Sequence, residues 1–312
     1  EALVHSLGDG DDEPVSTGNI TVISNSVSGT LAAVDDVIDK FIVAGDAFVG
    51  LDNINANINS GTATGAEIKQ LDTVTTGTIT ATVTSATVAA TLAQFTADGF
   101  SHNLTFTVAA GDASIDAASL NSLDALTTGS IDASNVTTVS GEAADIITLF
   151  ASSGVTDLGT AENIIITNNP TVTQLNAINA LTTATVTGTV VGAMSDLNGI
   201  TESGNALTIS VTGDYAVADL VALKAKTTGE VTLSADSTIT GTYTAVNAAI
   251  DTAGINNFAN VGVSLTGSTT IAEANDMRTN VTAGTITATI TETYTEDLLN
   301  DAGDGTRLTD DA

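Results

Sequence analysis

The chain is 312 residues long and carries 37 acidic residues against 6 basic ones (Lys40, Lys69, Lys224, Lys226, Arg278 and Arg307), a formal net charge of −31 at pH 7. Phosphate backbones are neutralised by Lys and Arg, so this balance argues against nucleic acid as a partner, and equally against an anionic membrane surface. The absence of Cys excludes disulfides, thiol nucleophiles and cysteine–zinc sites, and no apolar run approaches the roughly 18 residues that direct membrane insertion requires.

Hydrophobic residues make up 42% of the chain, yet aromatics are only 3% and Trp is absent, so Ala, Val, Ile and Leu must build the core with help from Thr. Small and β-branched side chains suit thin, regular layers better than a deep globular centre. The charge repels itself within the folded chain. Seawater-like ionic strength shortens the Debye length to about 4 Å and relieves much of that, which points to a salty medium. An opening Glu1 without a signal-peptide pattern reads as a processed or excerpted chain.

Residues 1–18 read as an irregular acidic lead-in around Gly8-Asp9-Gly10-Asp11-Asp12-Glu13-Pro14. Residues 19–74 read as diverged N-terminal repeats. An extended run begins at Ile20 and ends near Val27, Leu31, Val34, Val37, Ile38 and Phe41 follow at helical spacing, and a second extended run covers about 48–58. Ile68, Leu71 and Val74 then mark another helix.

From Thr75 onward one phrase keeps returning. It reads Thr75-Thr76-Gly77-Thr78-Ile79, then Thr127-Thr128-Gly129-Ser130-Ile131, Thr182-Thr183-Ala184-Thr185-Val186, Thr227-Thr228-Gly229-Glu230-Val231 and Thr282-Ala283-Gly284-Thr285-Ile286. The chain also aligns with itself over longer distances. Ile68, Leu71 and Val74 match Leu175, Ile178 and Leu181 at one constant offset. Gly141, Ile146, Phe150 and Gly154 match Gly241, Val246, Ile250 and Gly254 at another, slightly shorter one. This predicts two superunits, 75–181 and 182–281, followed by a partial repeat and acidic tail at 282–312.

Within the superunits, strands are predicted near 77–83, 103–108, 129–138, 163–167, 184–190, 206–212, 229–239, 261–266 and 284–291. Helices are predicted at 116–126, 142–153, 172–180, 216–225 and 244–252, with Ser140 as N-cap of the second and Gly154 as its left-handed C′ residue. Each helix is too short to persist alone in water. Alternating strands and helices imply parallel neighbours joined by right-handed crossovers. The fold class predicted is therefore an α/β repeat, an elongated β-α solenoid with a parallel sheet on one side and short helices on the other. Ile79, Ala81 and Val83 are expected inward, and Thr78, Thr80 and Thr82 outward on a Thr-lined face. Uneven spacing of the strands keeps ordinary α/β domains as the competing reading, with the longer gaps holding loops or extra strands.

Three phrases carry a family likeness: Leu-Asp-Ala-Leu-Thr-Thr-Gly-Ser-Ile-Asp-Ala-Ser (123–134), Gly-Glu-Ala-Ala-Asp-Ile (141–146) and Ala-Ser-Ser-Gly-Val-Thr-Asp-Leu-Gly (151–159). The chain here resembles the tandem repeats of giant acidic Thr/Ala-rich extracellular or surface proteins of marine cyanobacteria and related marine bacteria, over roughly residues 65–291. The resemblance implies an exported, extracellular or cell-surface, filamentous role. It supplies no catalytic residue.

Chemistry is sparse. His5 and His102 are the only histidines; His102 sits in Gly99-Phe100-Ser101-His102-Asn103 with no nucleophile motif around it and reads as a solvated loop residue. Sugar-cleaving carboxylate pairs sit in aromatic-lined clefts, and this chain has only 7 Phe and 3 Tyr. No phosphate loop appears, because Gly8 and Gly10 are followed by acids. No catalytic, cofactor-binding or metal-ligating residue is therefore assigned, the chain is read as not an enzyme, and no cofactor is required. Ca²⁺ is the one ligand the acidic termini suggest, at Asp9, Asp11, Asp12 and Glu13 and at Asp301, Asp304, Asp310 and Asp311. These supply hard oxygen donors among glycines but lack EF-hand spacing, and a solvated acidic tail is the alternative.

The function expected is structural: a repeat protein forming or extending an extracellular filament, surface layer or adhesin stalk through end-to-end self-association. The competing class is a surface-binding module, an adhesin or phage-fibre-like receptor binder using the Thr-lined face or loops such as 96–103. Thr is also simply a good exposed strand residue, which is the plainer account of the Thr rows.

Overall fold

The computed structural model describes residues 20–21, 26–38, 48–49, 53–95 and 102–291. The strands in chain order are β1 (Ile20–Thr21), β2 (Ser26–Thr30), β3 (Phe48–Val49), β4 (Asn55–Ser60), β5 (Ile79–Thr82), β6 (Asn103–Thr107), β7 (Ser114–Asp116), β8 (Ile131–Asp132), β9 (Thr138–Gly141) and β10 (Val155–Thr156). They continue with β11 (Asn163–Ile166), β12 (Val186–Ala193), β13 (Ala206–Thr212), β14 (Tyr215–Ala216), β15 (Val231–Leu233), β16 (Thr238–Gly241), β17 (Ile255–Asn256), β18 (Gly262–Thr269) and β19 (Ile286–Ile290). The helices are α1 (Leu31–Ile38), α2 (Gly65–Asp72), α3 (Val88–Phe95), α4 (Ala117–Asp124) and α5 (Ala143–Ala151). After them come α6 (Val172–Asn179), α7 (Met194–Leu197), α8 (Val217–Lys224), α9 (Tyr243–Ile250) and α10 (Ile271–Asn280).

The chain folds as α/β, and every strand pairing among the described residues is parallel. Two compact units form. One comprises Glu1–Ala113, Ser119–Val136 and Ser152–Leu158; the other comprises Ser114–Ala118, Thr137–Ala151 and Gly159–Ala312. The first holds a six-stranded sheet ordered β10-β8-β6-β5-β4-β2. The second holds a seven-stranded sheet ordered β17-β15-β13-β12-β11-β9-β7 and a four-stranded sheet ordered β14-β16-β18-β19. β1 and β3 pair with each other.

The beat of the chain is set by these pairings. Ile79 lies beside Ala56, Leu104 beside Ala81, Ile131 beside Phe106 and Val155 beside Ile131, at a nearly constant separation in sequence. In the second unit Val231 lies beside Ile209, Ile255 beside Val231, Val263 beside Ile239 and Ile286 beside Val263, and the separation is almost the same. Three pairings depart from it. The step from β12 to β13 is shorter, Val190 meeting Ile209, and the steps from β1 to β3 and from β2 to β4 are longer, Ile20 meeting Phe48 and Val27 meeting Ala56.

The expectation of a parallel sheet on one side needs correction: the strands are distributed among several sheets. The runs read as single strands at 129–138 and 229–239 are each two strands, β8 with β9 and β15 with β16. A turn breaks each run. Asp132 Oδ1 accepts the Ser134 N–H at 2.9 Å and the Val136 N–H donates to Ala133 O at 2.9 Å. In the later copy the Ser237 N–H donates to Ser234 O at 3.0 Å. Asp and Ser side chains and tight carbonyl contacts compete with the ladder at such points. The unevenness of the longer gaps is thus the presence of an extra strand.

Period-two burial places the core. Ile79, Ala81 and Val83 are buried, while Thr78 and Thr82 are exposed and Thr80 is half-buried. In β13, Leu207, Ile209 and Val211 are buried to 1% exposure or less, each worth about 1.5–3 kcal/mol of burial. The matched helical triads behave alike: Ile68 and Leu71 on α2, and Leu175 and Ile178 on α6, are all 0% exposed. One aromatic contact strengthens the first unit, Phe95 standing edge-on to Phe106 with centroids 5.8 Å apart.

Helix starts follow the capping rules. Thr64 with Glu67, Thr171 with Gln174 and Thr270 with Glu273 form complete capping boxes at α2, α6 and α10, and Thr242 caps α9. Two expected helix-end roles are corrected. Ser140 lies in β9, where its hydroxyl donates to Ile115 O at 3.1 Å, so it does not cap α5. Gly154 does not adopt positive φ. Its counterpart in the sequence alignment, Gly254, does, at +82°, while a Cβ at Gly154 would meet the Asp124 carboxylate and oblige that side chain to shift. Among the described residues no helix is long and apolar enough to cross a membrane.

Candidate functional site

The returning Thr-Thr-Gly phrase is the most repeated construction in the structure, and its first threonine is buried at Thr75, Thr182 and Thr227 and half-buried at Thr127. Thr75, Thr127, Thr182 and Thr227 each place a hydroxyl against the carbonyl of the neighbouring strand, about one repeat earlier. Thr75 Oγ1 donates to Ile54 O at 2.6 Å, Thr127 to Leu104 O at 2.7 Å, Thr182 to Glu162 O at 2.6 Å and Thr227 to Leu207 O at 2.6 Å. The same oxygen accepts the N–H two residues on: Gly77 at 3.1 Å, and Gly129, Ala184 and Gly229 at 2.9 Å each. Each hydroxyl therefore closes its own turn and ties that turn to the previous repeat. The fifth copy keeps a backbone bond, Ala283 N–H to Ala259 O at 2.8 Å.

The glycine of the phrase is explained by close approach. A Cβ on Gly77, Gly129, Gly229 or Gly284 would fall on the carbonyl oxygen of Ile54, Leu104, Leu207 or Val261 respectively. The third copy has Ala184 in this place.

Two side chains elaborate the joint in matching ways. His102 is not a solvated loop residue: it is 7% exposed. Its Nδ1 accepts the Ile79 N–H at 3.2 Å and its Nε2 meets Asp72 Oδ1 at 2.7 Å, while its carbonyl accepts the Thr128 N–H at 2.9 Å. Because Nδ1 accepts, the ring proton sits on Nε2 and points at Asp72. Both ring nitrogens are thus occupied by structural partners, and neither is left to take a proton from a nucleophile as a triad demands. In the second unit Asn205 does the same work. Its Oδ1 accepts the Val186 N–H at 3.1 Å, its Nδ2 donates to Asn179 Oδ1 at 2.9 Å, and its carbonyl accepts the Thr228 N–H at 2.9 Å. Asp72 and Asn179 are the final residues of α2 and α6.

Beside the third phrase, in the second unit, lies an open polar cleft of about 380 Å³ whose lining includes Thr160, Asn179, Thr183, Glu202, Ser203 and Asn205. It offers amides, hydroxyls and one carboxylate. Asn179 Nδ2 is buried without a hydrogen-bond partner, a position that suits an internal water.

Few ionisable groups are perturbed, and each for a local reason. Hydrogen bonds from the Thr64 backbone and side chain hold the Glu67 carboxyl below its ordinary range, and those from the Ser134 side chain and backbone do the same for Asp132. Burial pushes the Tyr215 phenol up to about 12. The Tyr243 phenol, exposed, is raised by its hydrogen bond to Asp276, which it donates at 2.7 Å. Among the described residues no group of three or more His, Cys, Asp or Glu is placed to hold a metal ion.

Comparison with protein-family models, with curated proteins and with solved structures returns no match. The geometry therefore carries the reading.

The acidic Ca²⁺ candidates at both termini, His5 and most of the 96–103 loop lie outside the described residues. The phrase itself is visible in the sequence as a repeat, but its periodicity alone does not single out the buried first threonine. The available signal is that Thr75, Thr127, Thr182 and Thr227 recur at one register while the residue after the glycine varies.

Proposed function

We propose that this chain is a structural repeat protein, an elongated β-α solenoid that forms or extends an extracellular filament, surface layer or adhesin stalk by end-to-end association. The observation that carries the reading is the joint repeated at Thr75, Thr127, Thr182 and Thr227, in which one hydroxyl serves two successive repeats. A joint of this kind has no use in catalysis. Its product is a stack in which each repeat depends on its neighbour. The repeats group into superunits 75–181 and 182–281, flanked by diverged or partial copies. The −31 charge keeps a long polymer soluble in salt, and the resemblance to giant acidic surface proteins of marine bacteria supports a setting outside the cell. Ca²⁺ at the acidic termini is an accessory bridge in this reading.

End-to-end growth is supported by the parallel ladders, which leave an open edge at each end by construction. Among the described residues β19 pairs with β18 alone, and its inward residues Ile286, Ala288 and Ile290 are only half-buried. The polar cleft at Asn179 and Glu202 favours a second reading, a surface-binding module that holds a small polar ligand. Sedimentation velocity and negative-stain microscopy in seawater-like salt, with and without chelator, separate the two. Linear particles of graded length support the structural reading; a strictly monomeric particle that binds a glycan contradicts it.

A further inference from the structure

The charges of this acidic chain are partitioned by element. Among all the residues of strands β1 to β19 only Asp116 and Asp132 are charged, although the chain holds 43 Asp, Glu, Lys and Arg. The outward face of the seven-stranded sheet shows the consequence. Its central strands present Asn163 and Ile165 from β11, Thr187, Thr189 and Val191 from β12, and Thr208 from β13, all exposed. Thr189 lies beside Thr208, and Val191 beside Ser210. Ile165 and Val191 are 42% and 43% exposed, two of the three large aliphatic side chains exposed in the described structure. Charge returns at the rim, with Asp116 on edge strand β7, the buried Glu162 directly ahead of β11, and the exposed Glu202 and Glu230 ahead of β13 and β15.

We propose that this face is the lateral contact between copies of the chain, the surface on which a second copy lies alongside the first. The proposal rests on the structural reading above and names the sideways partner that reading leaves open. Two molecules of charge −31 repel wherever their acidic surfaces meet, so close approach is confined to surface free of charge. A neutral centre of Thr, Val and Ile with a charged rim has the layout of a protein interface. Strand and residue spacings give the patch an area of about 400 Å² per copy. The roughly 800 Å² buried between two copies falls short of the roughly 1,200 Å² typical of a stable pair. A single contact is therefore weak, and lateral order appears only where many copies line up along an assembly.

The test compares wild type, the Ile165→Glu/Thr208→Glu double variant and a Val221→Glu control. Val221 is the third exposed aliphatic, on α8 rather than on this face. Circular dichroism and melting first establish that each folds. In seawater-like salt, microscopy of wild type and V221E is expected to show bundles or sheets of parallel particles, and I165E/T208E single-file particles of unchanged length. Bundling by I165E/T208E as by wild type overturns the proposal, as does loss of bundling in V221E. Wild type that forms only single-file particles overturns the lateral contact alone. If the face variant then loses retention on a neutral polysaccharide column, the face serves a polymer ligand instead. Wild type that never assembles overturns the structural reading and this proposal together.

Discussion

Replacing Thr227 by valine removes one hydroxyl and keeps the side-chain shape. Thr227 is 5% exposed, and its oxygen donates to Leu207 O at 2.6 Å while accepting the N–H groups of Leu207 at 3.0 Å and Gly229 at 2.9 Å. Valine leaves those two donors and the carbonyl facing a methyl group. Each buried polar group stranded in this way costs about 1–3 kcal/mol, so with three groups stranded a loss of at least about 3 kcal/mol is expected. Thr228, its neighbour, is exposed and its hydroxyl makes one bond, to Asn205 O at 3.2 Å. Thr228→Val should therefore cost less than about 1 kcal/mol. Urea unfolding followed by far-UV circular dichroism reads the difference. Hydrogen exchange at the Leu207 and Gly229 amides localises it, which matters because long repeat arrays need not unfold in one step. Equal unfolding midpoints for T227V and T228V would refute the claim that the first threonine is the joint.

Gly229→Ala sets a Cβ on the Leu207 carbonyl and should cost about 1–3 kcal/mol or more in thermal or urea unfolding. Gly111→Ala, with nothing within 4 Å, should be neutral or stabilising by up to about 1 kcal/mol. His102→Ala strands the Ile79 N–H and should lower the melting temperature. The double variant H102N/D72N, which rebuilds the Asn205–Asn179 arrangement, should recover part of that loss, and no recovery would show that the two joints are not equivalent. The Glu67 carboxyl, held low by Thr64, contributes stability that is complete above the ordinary glutamate range and is lost as pH falls through its depressed folded value. An NMR titration should place its midpoint below that of an exposed glutamate, and Thr64→Ala should move it upward.

Much of the fold was legible because it is periodic. The predicted helices at 116–126, 172–180, 216–225 and 244–252 correspond to α4, α6, α8 and α9, since Leu120, Leu175, Leu220 and Val246 fall on inward faces set by helical spacing. The strand at 206–212 was readable from the alternation of Leu207, Ile209 and Val211. What stayed hidden depended on partners distant in sequence. The break between β8 and β9 rests on an Asp132–Ser134 turn inside a run that reads as one strand, although Asp132, Ser134 and Asn135 are turn-forming residues and gave a local hint. Ser140 resembled a helix cap until Ile115 O, 25 residues earlier, claimed its hydroxyl. His102 is buried because Asp72 and Ile79, 30 and 23 residues before it, meet its two nitrogens. Only the pairing of strands distant in sequence creates such contacts.

X-ray diffraction from an aligned gel of the purified chain, concentrated in seawater-like salt, addresses the stacked-repeat reading most directly. If parallel strands lie across a long axis and repeats add along it, a reflection at about 4.7–4.9 Å appears along the direction of alignment, with sheet packing near about 10 Å across it. An unoriented ring from particles that never lengthen, or strand spacing perpendicular to the long axis, would contradict the account.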